Sequence, residues 1–179
     1  MLGLDYVADV VSLEEEAALL AWMQTLTLEP FAKFGLASNR LIASFGARAQ
    51  PPRPFPPELE PLRHRCADLA GLDAPQFSEA MVTWYPAGAG IGWHRDYPQF
   101  GPVVLGVSLV AACRLRMRPV GGGEVQVVEL RPRSLYVLAE DARGAWEHAI
   151  PAVPVPRWSV TFRSLRRRGE NGSARILGT

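Results

Sequence analysis

The second half of this sequence is divided into short segments of strand-forming residues, and that division constrains the fold more than any other feature. From Phe77 onward, apolar residues alternate with polar ones or form short uninterrupted runs, and turn residues separate the segments. Many short strands joined by turns are typical of a β-sandwich or barrel. The predicted strands cover 80–85, 91–96, 103–110, 113–118, 125–130, 134–138, 148–150 and 159–165.

Two helices are predicted before these strands. Ser12 and Glu15 form a capping-box pattern, which predicts a helix from there to about Thr25. Apolar residues at helical spacing predict a second helix over 58–70, ended by Gly71. The expected inner faces are Leu13, Ala17, Leu20 and Gln24 in the first helix and Leu59, Leu62, Cys66 and Leu69 in the second. Between the helices, a strand is expected at 41–46 and an irregular proline-rich loop at 48–57.

The composition indicates a globular protein without a strong overall charge. A chain of 179 residues is the usual size of one domain, and we expect a monomer. The net charge of +1 excludes a global field that would attract nucleic acid, but 18 of the 19 basic residues are arginines, which bind anions locally. Cys66 and Cys113 are expected as buried free thiols, and the sequence shows no signal peptide or membrane span. These features favour a cytoplasmic location.

A histidine and a carboxylate stand two residues apart at His94 and Asp96. Residues i and i+2 of an extended strand point to the same face, so both side chains could bind one metal ion. The chain has three histidines; His64 is expected at the surface of the second helix, which leaves His148 as the third ligand. Two histidines and one carboxylate are the ligand set of many non-haem Fe(II) oxygenases. An H-x-D triplet by itself also occurs in surface pairs and packed strands.

The last predicted strand carries an unusual set of polar residues. Arg157, Ser159, Thr161 and Arg163 share one face of an extended segment, while apolar side chains occupy the other face. Two arginines on the inner face of a small barrel would be costly to bury without an anionic partner. A dicarboxylate would satisfy both, with Arg157 and Ser159 at one end and Arg163 toward the other. The alternative is an exposed edge strand with solvated arginines.

Taken in order, these residues resemble the AlkB-type Fe(II)/2-oxoglutarate dioxygenases over roughly 80–165, about half the chain. The residues that carry the resemblance are Tyr85, His94, Asp96, His148, Arg157, Ser159 and Arg163. The resemblance implies Fe(II) on His94, Asp96 and His148. It also implies 2-oxoglutarate held by Arg157, Ser159, Tyr85 and Arg163, with O2 as the other co-substrate.

The same resemblance implies the architecture. We expect a mainly β protein with flanking helices (α+β class): a double-stranded β-helix, or jelly-roll, with the two N-terminal helices packed on one sheet. The single domain would comprise a helical and substrate-lid region at 1–79, a catalytic core at 80–165 and a polar tail at 166–179. Arginines 166–168 of the tail are expected to be solvated, with phosphate contact as the alternative.

The sequence indicates the substrate less narrowly than it indicates the metal and the co-substrate. Trp93, Tyr97 and Phe100 could stack on a base, and Arg40 directly precedes the strand at 41–46, which with its flanking loops corresponds to part of the lid. The resemblance implies oxidative demethylation of N-alkylated nucleobases in DNA or RNA, with single-stranded nucleic acid as a partner and release of formaldehyde, succinate and CO2. Pro98 stands where AlkB repair enzymes commonly carry a second acidic residue. The alternative substrates are a methylated protein side chain or a small molecule.

Two other classes of function are compatible with parts of the pattern. A non-catalytic jelly-roll binding module would be expected to lack at least one ligand or arginine of the set. A Zn(II) hydrolase could use the same three ligands, but Arg157 and Arg163 would then have no purpose.

Overall fold

The computed structural model describes residues 3–33 and 36–166. Apart from Arg166, the predicted polar tail at 166–179 lies outside this part of the chain. The helices are α1 (Leu13–Met23), α2 (Glu60–Leu69) and α3 (Glu140–Gly144). The strands are β1 (Leu4–Val7), β2 (Glu29–Lys33), β3 (Leu36–Phe45), β4 (Glu79–Tyr85), β5 (Ile91–His94), β6 (Phe100–Leu109), β7 (Cys113–Pro119), β8 (Gln126–Leu130), β9 (Ser134–Leu138), β10 (Trp146–Ile150) and β11 (Arg157–Leu165).

The strands form two antiparallel sheets that face each other. The major sheet has the order β1-β9-β6-β11-β4-β3-β2, and the minor sheet has the order β5-β10-β7-β8. Strands close in sequence lie in different sheets, so the chain crosses repeatedly between the two layers, which is the jelly-roll arrangement. The predicted mainly β fold with flanking helices is therefore confirmed, and each of the eight strands predicted after Phe77 is present.

Both N-terminal helices pack on the outer face of the major sheet. Met23 of α1 and Leu62 of α2 are buried in one apolar cluster with the outward-facing residues of the sheet, such as Val160 and Phe162. The α1 capping box is confirmed, since the Ser12 hydroxyl accepts from the Glu15 N–H and the Glu15 carboxylate accepts from the Ser12 N–H. No helix in the described part of the chain is long and apolar enough to cross a membrane.

The predicted inner faces of the helices need correction. Leu13 is 71% exposed, and α1 instead buries the neighbouring stripe that contains Glu16 and Met23. The Glu16 carboxylate accepts from the Val110 N–H at 2.8 Å, so a hydrogen bond to the end of β6 decides the rotation of the helix. Leu59, which caps α2, and Leu62 and Cys66 within it are buried as expected, but Leu69, the last residue of the helix, is 50% exposed.

The space between the two sheets has an apolar part and a polar part. Leu115 and Met117 of β7 are buried against Val104 of β6 and Leu138 of β9. On the same inner face of the major sheet, β11 instead presents arginine and hydroxyl side chains, because its inward and outward residues alternate. The candidate site lies in this polar part.

Candidate metal and co-substrate site

The two histidines of the predicted metal site are brought together by strand pairing. β5 and β10 are antiparallel neighbours, and His94 lies opposite His148. The register shifts between His148 and Ile150, which lie opposite His94 and Ile91, so β5 contains one extra residue over this interval. A β-bulge of this kind re-aims a side chain. Here it turns both Ile91 and His94 toward the space between the sheets.

Asp96 follows β5 directly and lies against both imidazoles. The ring centroids of His94 and His148 are 4.3 Å apart, and His148 Nε2 lies 4.0 Å from Asp96 Oδ2. His94 Nδ1 lies 2.9 Å from the Gly92 carbonyl, a contact that fixes the orientation of the ring and leaves Nε2 as the nitrogen available to a metal. The Nδ1 atom of His148 is buried and has no hydrogen-bond partner among the described residues.

The three groups have the protonation states that a metal ligand requires. Burial, together with the neighbouring His94, lowers the pKa of His148 to about 3, and burial also lowers the pKa of His94. Burial alone would raise the pKa of the Asp96 carboxyl, but the Arg163 guanidinium and the two histidines hold it well below its usual range. Two neutral imidazoles and one carboxylate are therefore available at neutral pH.

Arg163 binds the Asp96 carboxylate in this structure. Its Nε and Nη2 atoms both lie 2.9 Å from Asp96 Oδ1, and its Nη1 donates to the Thr161 hydroxyl at 2.8 Å. Within the described ranges, no group of three histidine, cysteine or acidic side chains is placed closely enough to hold a metal ion as it stands. The donor chemistry and the convergence of His94, Asp96 and His148 nevertheless fit Fe(II), because Asp96 Oδ2 remains on the side of the histidines.

The inward-facing polar side chains of β11 form a strip, and Arg157 lies at its closed end, away from the cavity. It is 1% exposed, its Nη2 donates to the Ser108 hydroxyl at 2.9 Å, and its guanidinium lies 4.9 Å from the centre of the Tyr85 ring. Its Nε and Nη1 atoms are buried without a partner among the described residues. Ser159, also buried, lies opposite Ser108 on the neighbouring strand. A buried guanidinium with unfilled donors fits the distal carboxylate of 2-oxoglutarate.

Tyr136 is a site residue that the sequence interpretation missed. It lies opposite Gly106 in the β6–β9 pair, and Gly106 lies opposite Thr161 in the β6–β11 pair. A Cβ on Gly106 would be 2.0 Å from Tyr136 Cζ, so the tyrosine ring crosses β6 above the glycine toward β11. Burial raises the pKa of Tyr136, which keeps its hydroxyl a donor. The sequence feature that could have indicated this contact is Gly106 within the apolar run 103–110, since an isolated glycine in a strand indicates the close approach of another group.

A cavity of about 800 Å³ opens next to the candidate metal ligands. His94, Asp96 and Arg163 line its inner end, and three of the four predicted substrate residues line its walls: Arg40, Tyr97 and Phe100. The Tyr97 and Phe100 rings are 6.4 Å apart, and the Arg40 guanidinium lies 4.4 Å from the centre of the Phe31 ring. Part of β3 and Arg53 of the proline-rich loop also line the cavity, in the region expected to form the lid.

Trp93, the fourth predicted substrate residue, does not line the cavity. The bulge that turns His94 inward leaves Trp93 on the outer face of the minor sheet, where its ring lies 4.1 Å from the Arg118 guanidinium and 5.2 Å from that of Arg116. The structure therefore places Trp93 apart from the other three predicted substrate residues. His64 is exposed on α2, in agreement with its predicted surface position, and its Nε2 lies 3.8 Å from the Glu60 carboxylate.

Sequence comparisons place this chain in a family. The sequence profile of the 2OG-Fe(II) oxygenase superfamily matches residues 29–171. Replicase protein 1a of Grapevine leafroll-associated virus 3 is 27% identical over 95 residues, which are 51% of this chain and 4% of the replicase. An uncharacterised protein of Acanthamoeba polyphaga mimivirus is 31% identical over 104 residues, which are 49% of this chain and 48% of that protein. The chain thus spans half or less of the curated relatives that it matches.

Solved structures share the fold over most of the chain. OsALKBH1 has a TM-score of 0.72 at 15% identity, covering 92% of this chain and 99% of that one. A Pseudomonas putida prolyl-4-hydroxylase has a TM-score of 0.68 at 18% identity, covering 92% and 93%. A prolyl hydroxylase from Trichoplax adhaerens has a TM-score of 0.66 at 15% identity, covering 92% and 84%. With a profile match over most of its length, and a fold shared with OsALKBH1 and the prolyl hydroxylases, the chain belongs to the 2OG-Fe(II) oxygenase superfamily.

Proposed function

We propose that this protein is an Fe(II)/2-oxoglutarate-dependent dioxygenase that removes alkyl groups from the nitrogen atoms of nucleobases in DNA or RNA. Fe(II) would be held by His94, Asp96 and His148, whose side chains lie close together and whose protonation states suit a divalent metal. The distal carboxylate of 2-oxoglutarate would be held by Arg157, which is buried with two unfilled donors.

The bound metal and 2-oxoglutarate supply the oxidation of a C–H bond, and the protein supplies position. One oxygen atom of O2 enters succinate, as CO2 leaves 2-oxoglutarate, and the other enters the N-methyl group of the substrate. The resulting N-hydroxymethyl compound breaks its C–N bond and releases formaldehyde, leaving the nitrogen demethylated. Within the protein, Arg157 fixes one end of the co-substrate, and Arg163 holds the Asp96 carboxylate.

The observation that carries the nucleobase assignment is the charge and shape of the cavity beside His94 and Asp96. Aromatic rings on its walls, from Phe31, Tyr97 and Phe100, suit a planar base. A cavity that extends directly to the candidate metal ligands would place a methyl group on that base near the reacting centre.

The arginines of the cavity favour an anionic substrate over a methylated lysine or arginine. Each lining carboxylate already has a partner: Asp96 binds Arg163, Glu79 accepts from the backbone N–H groups of residues 47 and 48, and Glu29 lies 3.7 Å from Arg53. Further arginines, Arg48 and Arg95, line the cavity in addition to these pairs. The surplus positive charge suits the phosphates that flank a nucleobase.

The test is a formaldehyde-release assay with Fe(II), 2-oxoglutarate and a panel of methylated substrates. The panel contains N-methylated bases in single-stranded and double-stranded oligonucleotides, together with methyl-lysine and methyl-arginine peptides. We expect formaldehyde and succinate in equal amounts from at least one oligonucleotide. Formaldehyde from the peptides alone would contradict the nucleobase assignment and leave the oxygenase assignment intact.

The three histidines provide a matched control. His148→Ala should abolish both products, whereas His64→Ala, at an exposed position on α2, should retain them. Succinate formation that survives His148→Ala would remove this residue from the metal site and contradict the oxygenase assignment.

A further inference from the structure

One arginine outside the predicted site contacts the loop that follows β5. Arg143 of α3 donates from Nη1 to the Asp96 carbonyl at 3.2 Å and from Nη2 to the Tyr97 carbonyl at 2.8 Å. Its Nη2 also lies 3.5 Å from the Phe100 carbonyl. All three acceptors belong to the short segment between β5 and the start of β6, so a single side chain contacts that segment at three carbonyl groups.

The two segments joined in this way both belong to the site. The β5–β6 segment carries Asp96, a candidate metal ligand, and Tyr97, a cavity wall residue. α3 leads directly into β10, which carries His148 five residues after Arg143. The position of Asp96 relative to His148 therefore depends on a contact that neither of the two side chains makes.

Arginine is suited to this contact for a geometric reason. The carbonyl groups of a loop outside any sheet need hydrogen-bond donors, which for Tyr97 are the Phe100 N–H and the Arg143 guanidinium. The planar guanidinium presents several donors in a fixed fork, so it can bind successive carbonyls at once, whereas a lysine ammonium acts as a single point charge. Arg143 is also partly buried, so its guanidinium has less access to water as an alternative hydrogen-bond partner.

We propose that Arg143 is a positioning residue that holds the backbone of residues 96–100 in place, and thereby sets both the metal affinity and the fit of the cavity wall. The proposal rests on the metal site of the superfamily and not on the identity of the substrate. It assigns Arg143 no contact with the metal, with 2-oxoglutarate or with the reacting atoms.

The test measures Mn(II) binding by titration calorimetry in the presence of 2-oxoglutarate and without any substrate, using Arg143→Met, Arg143→Lys and Arg114→Met. Loss of groups that orient metal ligands typically weakens metal binding by about 10- to 100-fold. We expect that range for Arg143→Met and a smaller loss for Arg143→Lys, which keeps the charge and N–H donors but not the planar fork. Arg114→Met, an exposed arginine on the outer face of the minor sheet, should bind Mn(II) like the wild type.

Thermal unfolding of each variant separates positioning from folding. Should Arg143→Met fail to fold, Arg143→Lys still decides, because it keeps the charge and loses the fork. Weaker Mn(II) binding by a folded Arg143 variant supports the proposal. Wild-type Mn(II) affinity in folded Arg143→Met, or in Arg143→Lys if only that variant folds, would overturn it. The nucleobase assignment would be unaffected, since no substrate is present in this experiment.

In active preparations, the ratio of succinate to formaldehyde gives a second readout. A displaced cavity wall should raise the ratio in Arg143→Lys, because 2-oxoglutarate is then consumed without productive oxidation of the substrate. A ratio equal to that of the wild type would limit the role of Arg143 to the metal site and overturn the part of the proposal that concerns the cavity wall.

Discussion

Arg157 and Arg163 have the same side chain, lie on the same face of β11 and differ in what their guanidinium groups bind. Arg157 is at the closed end of the strip, donates to Ser108 and has two buried nitrogen atoms without a partner in the described part of the chain. Arg163 is at the cavity end, and its three nitrogen atoms donate to Asp96 and Thr161.

The difference shows how one strand can provide a ligand site and a support for that site. Burying a guanidinium with unfilled donors costs free energy, so the position of Arg157 is best explained by an anion that fills them. The donors of Arg163 are already used within the protein, so we expect it to hold the Asp96 carboxylate, and its contact with 2-oxoglutarate stays a prediction. The two arginines should therefore respond differently to the same substitution.

The largest effect is expected for Arg157→Met on co-substrate binding. Removing one partner of a buried charge pair costs about 2–5 kcal/mol, so the Kd for 2-oxoglutarate should rise by about 30-fold or more. The free energy of unfolding should change little or increase, because an incompletely paired buried charge is removed. Calorimetric titration with Mn(II) present measures the Kd, with the exposed Arg131→Met as the control. An unchanged Kd would contradict the assignment of Arg157.

The next effect is expected for Arg163→Met on metal binding. Without its guanidinium, Asp96 Oδ1 loses the hydrogen bonds that orient it, and Mn(II) binding should weaken by about 10- to 100-fold. The Kd for 2-oxoglutarate should rise less than in Arg157→Met. If the Kd for 2-oxoglutarate rose more in Arg163→Met than in Arg157→Met, the different roles assigned to the two arginines would be contradicted.

A smaller effect is expected at Gly106, which lies opposite Thr161, between the two arginines of β11. The methyl group of Gly106→Ala would overlap the Tyr136 ring, and overpacking of this kind typically costs about 1–3 kcal/mol of unfolding free energy. Gly92→Ala is the matched strand variant, since its added Cβ meets nothing within 4 Å. Denaturant unfolding measures both. A double variant with Tyr136→Ala should recover part of the loss in Gly106→Ala; full additivity would exclude the overlap as its cause.

The smallest effect is expected for Glu15, which forms an ion pair with Arg65 at the surface. Arg65 binds Glu15 at 2.6 Å, and this hydrogen bond, with the Ser12 N–H, lowers the Glu15 pKa to about 2. A lowered carboxyl pKa stabilises the folded state above the pKa of the unfolded chain, and this stabilisation is lost as the pH falls from about 4.5 toward about 2. Glu15→Gln keeps the capping box and removes the charge.

The melting temperatures of Glu15→Gln and the wild type should therefore differ slightly at pH 7 and converge at low pH. Because both side chains are partly exposed, the difference should also shrink at high salt. A difference that grows toward low pH would contradict the assigned direction.

Much of the fold could be predicted from local patterns. The period of two in β11 predicted which of its side chains face inward, and the structure places them so. The spacing of His94 and Asp96, together with the small number of histidines, predicted a site that the structure brings together. The α1 face was predicted incorrectly, because two neighbouring stripes of the helix have similar composition and the Glu16 hydrogen bond to β6 selects one of them.

The sequence by itself determined the series of strands, the first helix cap and the chemical types of side chain available for a metal and a dicarboxylate, because these depend on residues close together in the chain. Only the tertiary structure decided that a bulge in β5 turns His94 inward and Trp93 outward, that Tyr136 crosses Gly106, and that Arg143 contacts the loop after Asp96. Each of these depends on the register between strands, or on a contact between segments far apart in sequence, and no local period encodes it.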